Sequence, residues 1–585
     1  MGFIMSKLSV SQSIIKAKSY AKKGKIEEAK NIYELVLKAF PKNKRAQEGL
    51  ANLAKFNQNF GPQDVPQDKV EQLISFYKQG QMATTVNLAQ ELLSQYPEQF
   101  ILWNLLGAAN ISLNQTSNAL AAFKKVTELN PYYPDGFNNL GLTLHRTRRL
   151  EEAISCYNKA LSLKPNFADA HNNLGNSLKD QGKLKEAIKA YVKAISLRPD
   201  YAEAHNNMGV ALQEDDAFKE AIECYEKALS IKPNFADAFY NIANTLKDQG
   251  ELDWAIQTYK KAISLRPDYV EANYNLSLAY LLNGEFEKGL KLYEWRYRKK
   301  KEVRTRAPRK TLYWKGLGAI KGKRFLVYEE QGLGDIIQFC RYLPLLKKMG
   351  ADLTFQVTEE LHSLLQTIDV DLKLTSSLPS EKQIDFETPL MSLPHLLNTS
   401  LETIPKNIPY LSADPMKAML WSNRFTRNNF KVGICWQGSK NKIDVGRSFS
   451  LSLFEDISRL KNIELISLHK GEGEKQISDI KFDLTTLGDD FDAGGDSFID
   501  TAAVIVNCDL IISSDTAIAH LAGALGKPTW VALKYIPDWR WMLERNNSPW
   551  YPTVKLYRQK KQGDWEHVFD SMRRDLKSWL EMKKN

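Results

Sequence analysis

Residues 165–198 read PNFADAHNNLGNSLKDQGKLKEAIKAYVKAISLR, and this stretch decides the fold of the first half of the chain. Two segments with apolar residues at helical spacing flank a polar turn, DQGK. Its opening proline recurs, because Pro97, Pro131, Pro165, Pro199, Pro233 and Pro267 stand 34 residues apart. Other columns keep the same step. Ala170, Ala204, Ala238 and Ala272 mark the first helix of each pair, and Tyr157, Tyr191, Tyr225, Tyr259 and Tyr293 the second. Ala153, Ala187, Ala221 and Ala255 are small enough to let helices approach closely, and Gly141, Gly175 and Gly209 are expected at close helix contacts as well. Each proline follows a second helix and helps to end it, since it has no N–H and its ring crowds the preceding turn. The Asn or Asp after it (Asn166, Asp200, Asn234, Asp268) is expected to cap the next helix. An internal period of this kind predicts stacked helical pairs, each burying its apolar face on the next.

The step and its columns resemble the tetratricopeptide repeat, regular from about residue 70 to 297. Residues 11–55 read as an earlier, divergent helical pair, and 57–69 as a loop that breaks the register. One column is polar: Asn139, Asn173, Asn207, Asn241 and Asn275 lie on the first helices, which line the concave face of such a solenoid. A side-chain amide offers one acceptor and two donors to an extended peptide backbone. The column resembles the asparagine ladder of the O-GlcNAc transferase repeats, which implies peptide binding; packing or capping between repeats is the other reading. Asn138, Asn172 and Asn206 add a second polar column, which changes to Tyr240 and Tyr274.

Composition narrows the classes. The 585 residues exceed one core, so several domains are expected. No window approaches the roughly 20 apolar residues that span a bilayer, and the N-terminus has no signal-peptide pattern. Five cysteines without metal-ligand spacing suit a reducing cytoplasm. The net charge of +11 comes with no nucleic-acid-binding motif, so a basic cleft for phosphates or an acidic partner is expected instead.

After YEWRYRKKK the repeat stops and short apolar runs alternate with amphipathic helices. RFLVY (324–328), ADLTFQVT, KVGICW (431–436), ELISLH, CDLIISS and TWVALK read as strands, and IIQFCRYLPLLKKMG as one helix. This alternation predicts parallel sheets covered by helices, in two Rossmann-like halves that part near residues 410–430. Ligands in such folds bind beyond the carboxyl ends of the strands. Three loops fall there. Gly332-Leu333-Gly334-Asp335 is a glycine turn, with Asp335 either an N-terminal cap or a general base. Trp436-Gln437-Gly438 continues through Lys440 to Arg447, with cations suited to phosphate and an indole suited to a base or sugar; surface charge and core packing are the alternatives. Ser514-Asp515-Thr516-Ala517 opens a helix whose free N–H groups favour phosphate, Ser514 or Asp515 being expected to cap it. His520, in its early turns, faces either ligand or core. Ser452 and Glu455 read as a capping box. The acidic string Asp489-Asp490-Phe491-Asp492 is read as an exposed loop rather than a metal site.

GLGD with its helix, VGICWQGS, and SSDTAIAHLAGALGKPTW together resemble the heptosyltransferase-like glycosyltransferases of the GT-B fold. DWRWML, SPWYP, RQ and GDW resemble the branch of that group that carries tetratricopeptide repeats. The resemblance spans roughly residues 290–570. It implies Asp335 as catalytic base and Asp515, Thr516 and His520 on the donor side. The family's phosphate-binding lysine has no clean counterpart, Lys440 and Lys470 being candidates. The expected architecture is an all-α superhelix followed by a GT-B pair: residues 1–69 a divergent repeat and loop, 70–300 the superhelix, 301–425 the acceptor-side half, 426–585 the donor-side half. The expected activity is metal-independent, inverting transfer of a sugar from a nucleotide-sugar, without cofactor, to a protein acceptor held by the repeats. The resemblance implies flagellin or another surface protein as acceptor class. A lipid-linked or polysaccharide acceptor, or a non-catalytic scaffold, are the alternatives, and a homodimer is left open.

Overall fold

A computed structural model describes residues 9–22, 26–40, 43–58, 65–299, 306–310, 312–316, 318–438 and 446–582. Two compact units part at Ala238 and Phe239, inside the repeat array rather than at its end. Seventeen described helices lie between Val10 and Tyr293, and among the described residues no helix is long and apolar enough to cross a membrane.

In the first unit the repeat columns explain the packing. Tyr157, Tyr191 and Tyr225 are fully buried, and each lies against the glycine of the first helix of its own pair. A Cβ on Gly141, Gly175 or Gly209 would meet the tyrosine ring at 2.5–2.7 Å, so only glycine lets the ring in. The expected caps are not formed. The helices Ala168–Asp180 and Ala202–Glu214 begin on Phe167 and Tyr201, with no side-chain cap bond. Instead these aromatics lie under the cation that precedes each proline: Lys164 over Phe167 (4.2 Å), Arg198 over Tyr201 (4.3 Å) and Lys232 over Phe235 (4.6 Å). Anchoring the turn through an aromatic replaces capping it through an amide or carboxylate.

The second unit joins the last repeats to the α/β region. Leu281, Leu282, Phe286, Leu290 and Tyr293 share one core with the strands and helices that follow. Phe286 stacks on Trp550 at 5.7 Å and meets Trp539 edge-on at 6.2 Å. Two parallel sheets carry the rest. In the first, β1 (Arg324–Tyr328), β2 (Asp352–Gln356), β3 (Lys373–Thr375) and β4 (Phe386–Pro389) run in the order β3-β2-β1-β4. In the second, β5 (Phe430–Cys435), β6 (Ile463–Ser467), β7 (Leu510–Ser513), β8 (Thr529–Leu533) and β9 (Val554–Arg558) run β6-β5-β7-β8-β9. Strands β7 and β8 are buried throughout, as in a sheet covered on both faces. The expected long helix after β1 is broken into Leu333–Phe339, a 3₁₀ turn at Cys340–Tyr342 and Leu343–Lys348. Pro344 sits at the start of the last piece, where its missing N–H costs nothing. The capping box expected at Ser452 and Glu455 is replaced by Ser450, whose Oγ accepts from the N–H of Ser452.

A buried ion pair fastens the end of the repeats to the turn after β1. Arg296 and Glu330 are both wholly inaccessible; Nε donates to Oε1 at 3.1 Å and Nη2 to Oε2 at 2.9 Å. The guanidinium also donates to Glu294 (2.7 Å) and Ser392 (2.7 Å). Burial pushes the Glu330 carboxyl up, and Arg296 opposes that shift. Arg296→Met, which strands this carboxylate, is expected to destabilise the full chain by about 3–5 kcal/mol in denaturant titration. A loss below about 1 kcal/mol would show that the network adds nothing to the junction. Gly175→Ala should cost about 1–3 kcal/mol in the first unit by displacing Tyr191; an unchanged transition would contradict the packing described.

Candidate functional site

Both sheets reverse strand order at one place, between β1 and β4 and between β5 and β7. Such switch points leave a crevice at the strand carboxyl ends. The loops singled out in the sequence leave from those ends.

At the end of β1, Gln331 adopts a left-handed backbone (φ 63°) that turns the chain into the helix Leu333–Phe339. Its amide donates to the Tyr293 hydroxyl at 2.6 Å, and Glu330 is held by Arg296, so the repeats' last helix and the 3₁₀ turn after it fix both sides of the turn. The Gly332 N–H donates to Asp335 Oδ2 at 2.9 Å, so Asp335 caps the helix start. Its Oδ1 accepts from Arg540 Nη2 in an ion pair. Arg540 also donates to Asp538 (2.7 Å) and to Gln338 Oε1 (2.9 Å), which joins the two halves through one guanidinium. Burial pushes the Asp335 carboxyl up, and Arg540 pulls it back down.

Gly334 does a second thing. A Cβ there would come within 3.2 Å of His520 Cδ2 and 3.4 Å of Ala517 Cα. The glycine therefore lets the helix after β1 meet the helix Ala517–Ala524 after β7 at their starts. That second helix begins on Thr516, and neither Ser514 nor Asp515 forms the expected cap. Thr516 Oγ1 instead pairs with Ser513 Oγ at 3.0 Å. Ser514 Oγ is buried without a hydrogen-bond partner among the described residues. Asp515 is buried, and its carboxyl is pushed up to about 6, first by burial and then by Asp538, against the pull of Arg447 and Arg540. His520 lies in the core: Nδ1 is 3.1 Å from the Tyr551 hydroxyl, and the ring stacks on Trp541 at 5.2 Å. Burial, and then the neighbouring arginines, hold it well below the usual histidine range, so it is a neutral ring.

At the end of β5, Trp436 takes the core-packing alternative rather than a ligand-facing place. Its side chain is wholly buried, stacked on His469 at 4.4 Å, with Nε1 donating to the Gly473 carbonyl at 3.2 Å. No face of the indole is left for a base or sugar. Gln437 Oε1 accepts from Gln476 at 3.2 Å, while its Nε2 is buried and has no hydrogen-bond partner among the described residues. The Gly438 N–H donates to Ser448 Oγ at 3.2 Å. Lys440 lies outside the described residues. The alternative cation, Lys470, donates to the carbonyls of Phe491 (2.8 Å) and Asp492 (2.5 Å), which commits it elsewhere. In the acidic string, Asp490 pairs with Arg424 at 2.6 Å, and Asp492 accepts from the N–H of Asp500 at 2.8 Å at the start of the helix Ile499–Asn507.

Two cations were not singled out in the sequence. Arg540 sits between Trp539 and Trp541, in a stretch that stood out only by resemblance. Lys534 directly follows the apolar run of β8, a position that strand-end reasoning reaches once the sheet order is known. Burial lowers its pKa, and Arg447 acts in the same direction while Asp515 opposes it. Arg447, Lys534 and Arg540 are thus the cations whose charges couple to Asp515 or to one another here.

The asparagine column is in place but partly used. Asn139, Asn173 and Asn207 donate through Nδ2 to Asn104, Asn138 and Asn172 of the preceding repeat, at 3.1, 3.0 and 3.0 Å. Asn275 donates to the Tyr240 hydroxyl (3.1 Å) and to Asn244 (2.9 Å), and Asn241 is half-buried. The carbonyl oxygens of Asn139, Asn173 and Asn207 accept no hydrogen bond among the described residues. The column therefore zips repeats together and still offers acceptors to a peptide N–H.

Comparison with known proteins identifies the first half. Models described as TPR or tetratricopeptide repeat match residues 14–43, 70–134, 149–182, 175–216, 202–235, 224–257 and 243–284. The chain is 28% identical over 280 residues to Protein FlbA of Caulobacter vibrioides, covering 43% of this chain and 46% of that protein, so it spans about half the length of that curated relative. Among solved structures, MamA is 29% identical with a TM-score of 0.25, covering 28% of this chain and 95% of MamA. YrrB, described as a TPR protein with an unusual peptide-binding site, is 24% identical with a TM-score of 0.27, covering 32% of this chain and 96% of YrrB. The N-terminal region is a tetratricopeptide-repeat array, a fold that suggests a peptide or protein partner.

Proposed function

We propose that the chain is a glycosyltransferase that moves a sugar from a nucleotide-activated donor to a protein acceptor held by the repeats. One observation carries this reading. The turn bearing Asp335 and the helix start at Asp515–Ala517 leave the switch points of two parallel sheets and meet at Gly334. Open parallel sheets bind ligands at such switch points, and on this reading the acceptor would lie on one side and the nucleotide on the other. Ser514 Oγ and Gln437 Nε2, buried and without a hydrogen-bond partner among the described residues, are groups a ligand would satisfy. Arg447, Lys534 and Arg540 would neutralise charge on a departing diphosphate.

The chemistry balances as an in-line displacement. An acceptor hydroxyl or amide on the protein attacks the anomeric carbon as its proton passes to Asp335. The bond from that carbon to the phosphate oxygen breaks, and the nucleoside diphosphate leaves with the electron pair. Inversion follows from attack opposite the leaving group. The asparagine column would hold the acceptor chain and supply positioning.

A second reading, a non-catalytic scaffold, has its own support: both oxygens of Asp335 already accept hydrogen bonds. Intact-mass measurement of candidate acceptors co-expressed with the chain separates the two. Transfer predicts a fixed mass increment that is lost in Asp335→Asn while nucleotide binding is kept; no increment, and no nucleotide binding by the full chain, favours the scaffold. Rate against pH gives a further check. A base must be ionised, so the rate should fall as pH drops through the Asp335 pKa. Arg540 lowers that pKa, so Arg540→Gln should move the acidic limb to higher pH. An unmoved limb would remove Asp335 from the proton transfer.

A further inference from the structure

The second unit contains a groove of about 550 Å³, none of whose lining residues is among those named at the strand ends above. One wall is the start of the helix Leu252–Leu265 with the turn before it (Gly250, Glu251, Asp253, Trp254). The other is the loop Met542–Asn547, which adds Glu544 and Arg545. Its size falls within the range of roughly 300–1,000 Å³ typical of ligand clefts.

Trp254 is the unexpected residue. Asn118, Glu152, Glu186, Glu220 and Lys288 hold the same place in the other repeats, 34 residues apart, and all are polar. Trp254 breaks that column, yet it is 68% exposed and is the one exposed tryptophan among the described residues. Neither helix stability nor core packing calls for an indole in water at a position that elsewhere carries a polar side chain.

The groove has a sign as well as a shape. The Glu251, Asp253 and Glu544 side chains make no hydrogen bond or ion pair among the described residues. Arg545, the one cation in the lining, is turned into its own loop: Nε donates to the Asn547 carbonyl and to its Oδ1, both at 2.9 Å. Arg558 holds the same loop by donating to the Met542 carbonyl at 2.6 Å. The loop is also seated on the repeats, because Gly284, at φ 86°, leaves room for Met542, where a Cβ would meet Cε at 2.7 Å. A firm, acidic groove with an exposed indole is therefore presented by a chain whose net charge is +11.

We infer that this groove is a docking site for a basic polypeptide segment, a lysine or arginine side chain lying on the Trp254 indole while Glu251, Asp253 and Glu544 surround its charge. Cation and indole attract through the ring quadrupole, and carboxylates around the same cation add to that attraction. The site lies outside the sugar-transfer chemistry and stands whether or not that chemistry occurs.

The test is fluorescence anisotropy of a labelled peptide of alternating lysine and glycine titrated with the full chain. Binding should weaken as salt rises. It should fall about fivefold or more in Trp254→Gln, which removes the ring, adds no charge and keeps the polar character this position has in the sister repeats. Glu251→Gln with Asp253→Asn should weaken it as well. Equal binding by parent and variants, or no binding by the parent, would overturn the proposal. So would saturation by a neutral oligosaccharide instead of the lysine peptide, since an exposed tryptophan beside carboxylates and amides also suits a sugar.

Discussion

The second unit depends on the buried pair of Arg296 and Glu330. Two charges fully out of water persist only when their partners are satisfied. Here Glu294, Ser392 and Tyr297 join them, so the guanidinium and both carboxylates are enclosed in one network. Its geometric effect outweighs its energy. Arg296 belongs to the 3₁₀ turn that ends the repeats, and Glu330 stands two residues before the Gly332 turn. Aromatic packing of Phe286 and Tyr293 on Trp539 completes the seam. The turn that aims Asp335 is thus held from the repeat side, and this unit divides from the rest inside the array.

Arginines fasten the two sheets in the same way. Arg540 bridges Asp335 and Gln338 to Asp538, and Arg341 donates to the Trp550 carbonyl at 2.7 Å and to the Tyr410 hydroxyl at 2.9 Å. A planar guanidinium with five donors suits such joints better than a lysine. For the proposed transfer, this puts the candidate base under the control of a residue on the opposite half. Its ionisation is set by burial and by Arg540 together, not by local sequence.

The repeats show how one residue type serves two ends. The ladder asparagines stitch each repeat to the last through their N–H groups and keep acceptors toward a bound chain. Packing and peptide binding, alternatives when only the sequence is read, are compatible in the structure. Trp254 shows the converse: a single departure from the column leaves an indole exposed where the sister repeats carry polar side chains.

By itself, the sequence determined the repeat array and most strands, because both rest on periodic burial. A 34-residue step fixes which faces are apolar, and β1 from Phe325, β5 from Val432, β7 and β8 carry unbroken runs of apolar or small residues. Strands β3, β4 and β9 were not legible. Glu387 and Lys555 interrupt the apolar pattern, and their neighbours across the chain, Arg306 and Arg309 for one and Asp575 for the other, explain why they are tolerated. At the candidate site, Gly332, Gly334, Asp335 and the stretch from Ser514 to Ala517 could be singled out because turns and helix starts have local signatures. Tertiary structure alone decided that Trp436 and His520 are core, that Asp335 meets Arg540 some 205 residues away, and that Lys534 joins Arg447 and Asp515. Charge pairing across a fold leaves no period in the chain, since its partners are chosen by strand order rather than by spacing.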